Sequence, residues 1–161
     1  MIELITTGGT FDKVYFDALS EFSVGEPQLP RLLQEAGVSE AFRLQPLLRK
    51  DSLELTDADR AAIKEAVLAS DAERILITHG TDTMVQTAQS LLDVPHKTIV
   101  LLGAMQPAQM RISDAPFNAG FAWAAVQLLE PGVYLAMNGR VLDPRQARKN
   151  RAEARFESSA E

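Results

Sequence analysis

Residues 74–83, Arg-Ile-Leu-Ile-Thr-His-Gly-Thr-Asp-Thr, constrain this chain's fold more than any other stretch. Ile75, Leu76 and Ile77 form an unbroken apolar run, as expected of a strand covered on both faces in a parallel sheet. A tight polar turn follows at once. Met84, Val85, Ala88, Leu91 and Leu92 then recur at helical spacing, which predicts a helix over 81–92. The Thr81 hydroxyl and Asp82 carboxylate therefore fall at the carboxyl end of a strand, beside a helix N-terminus. Ligands bind at such positions in open α/β sheets, where backbone N–H groups and the helix dipole favour negative charge. The turn is predicted to be half of an active site.

The other segments repeat this strand-to-turn pattern. Residues 2–6 predict a first strand, ending in Thr6-Thr7-Gly8-Gly9-Thr10. No periodicity marks residues 11–26, which predicts a structureless, functional lid. A short helix over 27–36 is closed by Gly37, and residues 42–48 predict a second strand. Thr56 and Asp59 have the spacing of a capping box, opening a helix that buries Ile63, Ala66 and Val67. Residues 98–102 form a fourth, wholly apolar strand, and Asp114-Ala115-Pro116 opens a helix reaching Leu129. Residues 133–137 predict a fifth strand, which Asn138-Gly139 returns along 140–142 as a hairpin. The charged stretch 145–161 is either a docking helix or a frayed end.

Four alternations of strand and helix imply a parallel sheet with right-handed crossovers. The predicted class is α/β: three α/β/α layers around a mostly parallel sheet of Rossmann/flavodoxin-like kind, with a C-terminal hairpin. One domain is expected over 1–156, with 157–161 as a tail. The 116–129 helix is apolar nearly all round, so a second cover besides the sheet is expected; a homo-oligomer interface is predicted, with a monomer of thick core as the alternative.

Composition narrows the chemistry. A net charge of −6 argues against nucleic acid and anionic membranes as partners. With no cysteine, disulfides, thiolate catalysis and thiolate-held metals are excluded. The two histidines, His79 and His96, lie too far apart in sequence to suggest a zinc site. No apolar run approaches the ~20 residues of a membrane span. The chain opens on strand-like residues without a leader pattern, so a cytoplasmic protein is predicted.

Thr10 and Thr81 each follow a strand in a Gly-containing turn, and neighbouring strand ends share one crevice. A threonine hydroxyl attacks only when a base takes its proton. Asp82 suits another task, holding an ammonium from lysine or substrate. Gly9 and Gly80 let backbone N–H groups approach an oxyanion. The same turns also suit plain helix caps or an anion cradle. Neither carries a P-loop or dinucleotide fingerprint.

Five segments in order resemble the bacterial-type L-asparaginase family: Thr7-Gly8-Gly9-Thr10-Phe11, Asp51-Ser52-Leu53-Glu54-Leu55-Thr56, Thr78-His79-Gly80-Thr81-Asp82-Thr83, Gly103-Ala104-Met105-Gln106-Pro107 leading to Asp114-Ala115-Pro116-Phe117-Asn118, and Met137-Asn138-Gly139-Arg140-Val141-Leu142-Asp143 with Lys149 beyond. The resemblance implies hydrolysis of L-asparagine to L-aspartate and ammonia, with weak glutaminase activity and no metal or organic cofactor. Thr10 matches the nucleophile of an acyl-enzyme mechanism. Thr81, Asp82 and Lys149 match a triad-like relay, and Tyr15 or Phe22 matches the tyrosine of the lid. Ser52, with Asp51, matches the binder of the substrate α-carboxylate, and Asp82 the holder of its α-ammonium. His79 is expected to be structural. Gln106 stands where an arginine is common. Typical members are about twice as long, and a neighbouring subunit's second domain gives them an acidic residue that has no counterpart here. The chain is either a single-domain form or a piece of a longer one, and its polar ending favours the former. Rival readings are a non-catalytic amino-acid-binding module and a deamidating subunit of an amidotransferase.

Overall fold

The computed structural model describes residues 1–159. Its ten strands and four helices run in the order β1 (Ile2–Gly8), β2 (Lys13–Phe16), β3 (Glu21–Val24), α1 (Leu29–Glu35), β4 (Phe42–Lys50), α2 (Asp57–Ala69), β5 (Arg74–Thr78), α3 (Met84–Ser90), β6 (Thr98–Leu102), α4 (Ala115–Leu128), β7 (Gly132–Met137), β8 (Arg140–Leu142), β9 (Ala147–Asn150) and β10 (Arg155–Ser158). Six strands make the central sheet in the order β4-β1-β5-β6-β7-β8, parallel but for β8. The expected α/β class and its hairpin beyond the fifth parallel strand are therefore present.

Strand alternation sends successive side chains to opposite faces. Leu4, Leu76, Val100 and Leu102 face α1 and α4, whereas Ile5, Ile75, Ile77, Ile99 and Leu101 face α2 and α3. Both faces are covered, which is why these strands are apolar without a break. The helix α2 begins in the predicted capping box: Thr56 Oγ1 accepts from Asp59 N, and Asp59 accepts from Thr56 N.

Three local expectations are corrected. The supposed lid is not structureless: after a 3-10 turn at Thr10–Asp12 it folds into the β2–β3 hairpin, with Tyr15 paired to Phe22. Those strands are short and largely exposed, so they carry no hydrophobic alternation. The helix expected from Thr81 starts at Met84 with Thr83 as its N-cap, because the preceding residues are held in a turn. The charged tail is neither helix nor frayed end. It is the β9–β10 hairpin, docked by Phe156, which is buried in the α2–α3 layer. Of the expected 157–161 tail, residues 157 and 158 belong to β10, and 160–161 lie outside the described residues.

The cover over α4 comes partly from its own chain, where Leu32 and Leu33 of α1 share its apolar cluster, while Phe117 and Leu128 remain exposed. No helix among the described residues is long and apolar enough to cross a membrane. From β1 the chain crosses to β4 on one side and to β5 on the other. The crevice at that reversal opens at the strands' carboxyl ends, where such sheets bind ligands.

Candidate active site

The turns after β1 and β5 meet in that crevice. Strands β1 and β5 run in parallel register up to Thr6 and Thr78, and beyond them the two backbones touch. A Cβ on Gly9 would lie 2.4 Å from both Cα and N of Gly80. Gly9 also has φ 79, a left-handed value that favours glycine, so its lack of a side chain is needed twice over. Thr10 and Thr81 each follow one of these contacting glycines. The Gly9 N–H is not free for an oxyanion, since it donates to the Lys50 carbonyl at 2.9 Å.

The β4 end brings Ser52 to the same place. A Cβ on Gly80 would lie 2.5 Å from Ser52 Cβ and 2.6 Å from its Oγ, and Ser52 is buried. The Thr83 hydroxyl donates to the Ser52 carbonyl at 2.7 Å, tying the two turns together. Asp51 accepts from Leu53 N at 3.1 Å and from Lys13 Nζ at 3.1 Å. The Leu53 N–H, and then Lys13 and the Lys149 charge, hold its carboxyl below the usual range against burial. Lys13 thereby fastens the base of the β2–β3 hairpin to the Asp51 loop.

The hairpin β9–β10 brings the cation. Lys149 Nζ donates to Thr81 Oγ1 at 2.8 Å and to Asp82 Oδ1 at 2.9 Å. Thr81 is 6% exposed and the Lys149 side chain 17%, so these contacts are shielded from water. Phe156 sits opposite Lys149 in the β9–β10 pairing, and its N–H donates to Asn138 Oδ1 at 2.9 Å. Asn138 N in turn donates to Asn118 Oδ1 at 3.2 Å, and Asn118 Nδ2 to the Gly103 carbonyl at 2.9 Å. A Cβ on Gly103 would lie 3.3 Å from Thr81 Cγ2. Thus the Gly103, Asn118 and Asn138 motifs form a clasp between the sheet and the hairpin bearing Lys149.

His79 is fully buried. Its Nδ1 lies 2.7 Å from the Gly80 carbonyl, which can only accept, so Nδ1 carries the proton. Nε2 then accepts from the Thr87 hydroxyl at 2.8 Å. Burial lowers its pKa from 6.5 to about 4, and the neutral ring fixes the Gly80 carbonyl.

Sequence reasoning brought Thr81, Asp82, Lys149, Ser52, Asp51, Gly9 and Gly80 together, and Thr10 one residue beyond the Gly9–Gly80 contact. It did not foresee two neighbours. Arg151 Nη2 donates to Asp82 Oδ1 at 3.3 Å. Asp12, 1% exposed, accepts from Gln28 N at 2.8 Å, and burial raises its carboxyl from 3.8 to about 7. No sequence signal marks either contact, since both depend on distant chain segments. Tyr15 packs on Phe22, with ring centroids 5.3 Å apart on the exposed part of the hairpin. Among the described residues no group of His, Asp and Glu is placed to hold a metal.

Two threonine-bearing turns thus meet at the topological reversal of an α/β sheet, with a lysine and a carboxylate against one of them. Residues 1–160 match the family model described as Asparaginase, N-terminal, and the chain belongs to that family. It is 30% identical to a probable periplasmic L-asparaginase of Haemophilus influenzae, over 95% of this chain and 47% of that protein. The crystal structure of L-asparaginase I from Vibrio cholerae superposes with a TM-score of 0.85 at 25% identity, over 98% of this chain and 50% of the other. One component of the glutamyl-tRNA(Gln) amidotransferase of Methanococcus vannielii is 41% identical over 51% of this chain and 20% of its own length. The chain spans about half the length of the asparaginases it matches.

Proposed function

We propose that this protein hydrolyses the side-chain amide of L-asparagine to L-aspartate and ammonia, without a cofactor. The observation that carries the reading is the Thr81–Lys149–Asp82 contact set at the shared crevice, at 2.8 and 2.9 Å. In this mechanism the Thr10 hydroxyl adds to the amide carbon. Its proton passes to the departing nitrogen, which leaves as ammonia. Water then cleaves the resulting ester, releasing aspartate and restoring Thr10. Lys149, held against Thr81 and polarised by Asp82, carries the proton between hydroxyl, water and leaving group. Ser52 receives the substrate α-carboxylate with Asp51 orienting its loop, and Asp82 receives the α-ammonium. Gly9 and Gly80 let the turns that carry Thr10, Thr81 and Ser52 close on one another around the substrate site. Tyr15 reaches Thr10 only if the β2–β3 hairpin bends inward when substrate binds.

One observation favours a second assignment within the same reaction. Lys149 Nζ lies 2.8 Å from Thr81 Oγ1, and once it has passed its own proton on it is placed to take that of the Thr81 hydroxyl, which makes Thr81 the rival nucleophile. Ammonia release measured on wild type, Thr10→Ala, Thr81→Ala and Lys149→Met decides both points. Each variant is expected to lose about a hundredfold or more. Mass spectrometry of the quenched enzyme should find the aspartyl adduct on Thr10. An adduct on Thr81 would reverse the two threonines, and unchanged turnover in Thr10→Ala and Lys149→Met together would end the amide-hydrolase reading. A cytoplasmic setting and a homo-oligomer belong to the same proposal. The cysteine-free composition is compatible with the former, and the exposed Phe117 and Leu128 of α4 support the latter.

A further inference from the structure

Asp82 Oδ1 is shared by two cations of unlike character. Lys149 Nζ lies 2.9 Å away, also bonds Thr81, and its side chain is 17% exposed. Arg151 Nη2 lies 3.3 Å away at the start of the β9–β10 turn, and its side chain is 71% exposed. Lys149 is thus held from two sides in a dry place, whereas Arg151 is held from one side in water. The charges about the crevice otherwise pair off, Lys13 with Asp51 and Lys149 with Asp82. Arg151 is the cation left over, and it stands on the carboxylate best placed to receive a substrate ammonium.

Two electrostatic consequences follow for any small ligand. A substrate ammonium must share or displace a guanidinium at Asp82, and it feels a third positive charge. A substrate carboxylate gains a planar partner able to swing toward it, because an exposed ion pair holds its side chains weakly. We propose that Arg151 sets substrate selectivity, favouring amides that carry a carboxylate but no free α-ammonium. This proposal rests on the amide-hydrolase reading above and widens its substrate class beyond L-asparagine to monoamides of dicarboxylic acids and asparagine acylated on its α-nitrogen, which Arg151 favours relative to a variant without it. Arg151 touches neither threonine, and any effect it has on the chemical step through Asp82 falls on both substrates alike and cancels in their ratio.

The test compares L-asparagine with succinamic acid, which is asparagine without its α-amine, in wild type, Arg151→Gln and Arg151→Lys. The ratio of kcat/KM for asparagine to that for succinamic acid is expected to rise about three- to fivefold in Arg151→Gln, the scale of an exposed ion pair. The change appears in the ratio of the two KM values, shrinks at high salt, and is largely reversed in Arg151→Lys. An unchanged ratio, or one moving toward succinamic acid, overturns the proposal. A second arm needs no turnover: the thermal stabilisation given by L-aspartate is compared with that given by succinate in the same three proteins. If no amide is hydrolysed yet the aspartate preference rises in Arg151→Gln, the hydrolase reading fails and the role of Arg151 stands. If no amide is hydrolysed and neither ligand raises the melting temperature of any variant, both fall.

Discussion

Replacing Asp12 with asparagine removes a titrating group from the interior while leaving the Gln28 N–H an acceptor of the same shape. Burial raises the Asp12 carboxyl from 3.8 to about 7, and neither the Gln28 N–H nor the Arg49 charge offsets it. Between those values the native chain keeps a proton that the unfolded chain has released. The native state therefore loses stability as pH rises through this window, and the loss is complete above it. Integrating that linkage from pH 5 to pH 8 gives roughly 2–3 kcal/mol. Asparagine has no such proton, so the stability of Asp12→Asn relative to wild type should grow by that amount over the interval. Any constant cost of the exchange cancels in the comparison.

His79 tilts the curve the other way. Burial depresses its pKa from 6.5 to about 4, so the unfolded chain binds a proton that the native ring refuses. Stability from this group is gained as pH rises from about 4 to 6.5 and is fully present above. In wild type the two slopes oppose each other below pH 6.5. In Asp12→Asn the His79 slope is no longer opposed by that of Asp12, and stability climbs with pH up to about 6.5. Urea unfolding followed by circular dichroism at pH 5, 6.5 and 8 measures both effects. A variant-minus-wild-type difference that stays constant within ~0.5 kcal/mol across this range would refute the account of Asp12 as a buried carboxyl that holds its proton.

Two further outcomes are expected. Phe156→Ala removes the buried ring that docks β9–β10, at about 3–4 kcal/mol; since a lone two-stranded hairpin is marginal in water, asparagine turnover should fall at least tenfold while the far-ultraviolet spectrum of the main sheet persists, and full turnover in this variant would show that the hairpin does not deliver Lys149. Gly80→Ala places a Cβ 2.5 Å from Ser52 Cβ and pushes the β4 end away; KM for asparagine should rise about tenfold or more as the carboxylate binder moves, and an unchanged KM would remove Ser52 from substrate binding.

The sheet was legible because its strands are covered on both faces, so Ile75-Leu76-Ile77 and residues 98–102 are apolar without interruption. The two hairpins outside the sheet were not. Tyr15 and Phe22 both stand about half exposed, and in β9–β10 only Ala147 and Phe156 are buried, so neither pair of strands shows alternation. The start of α3 was displaced by contacts across the fold: Thr81 bonds Lys149 and Thr83 bonds the Ser52 carbonyl, and residues so occupied do not extend a helix. The resemblance to asparaginases pointed to Lys149, whose charge alone would pass for another solvated cation. The left-over Arg151 and the buried Asp12 leave no local mark, because each depends on a partner brought from elsewhere in the fold.

The hairpin carrying Lys149 lies after the chain has supplied every strand of the central sheet, the last being Arg140–Leu142. As the polypeptide leaves the ribosome, architecture precedes competence: the scaffold gains its full set of strands before the ammonium that charges the pocket has been added. Under the proposed mechanism, a growing or clipped chain that stops short of β9 is an inert body.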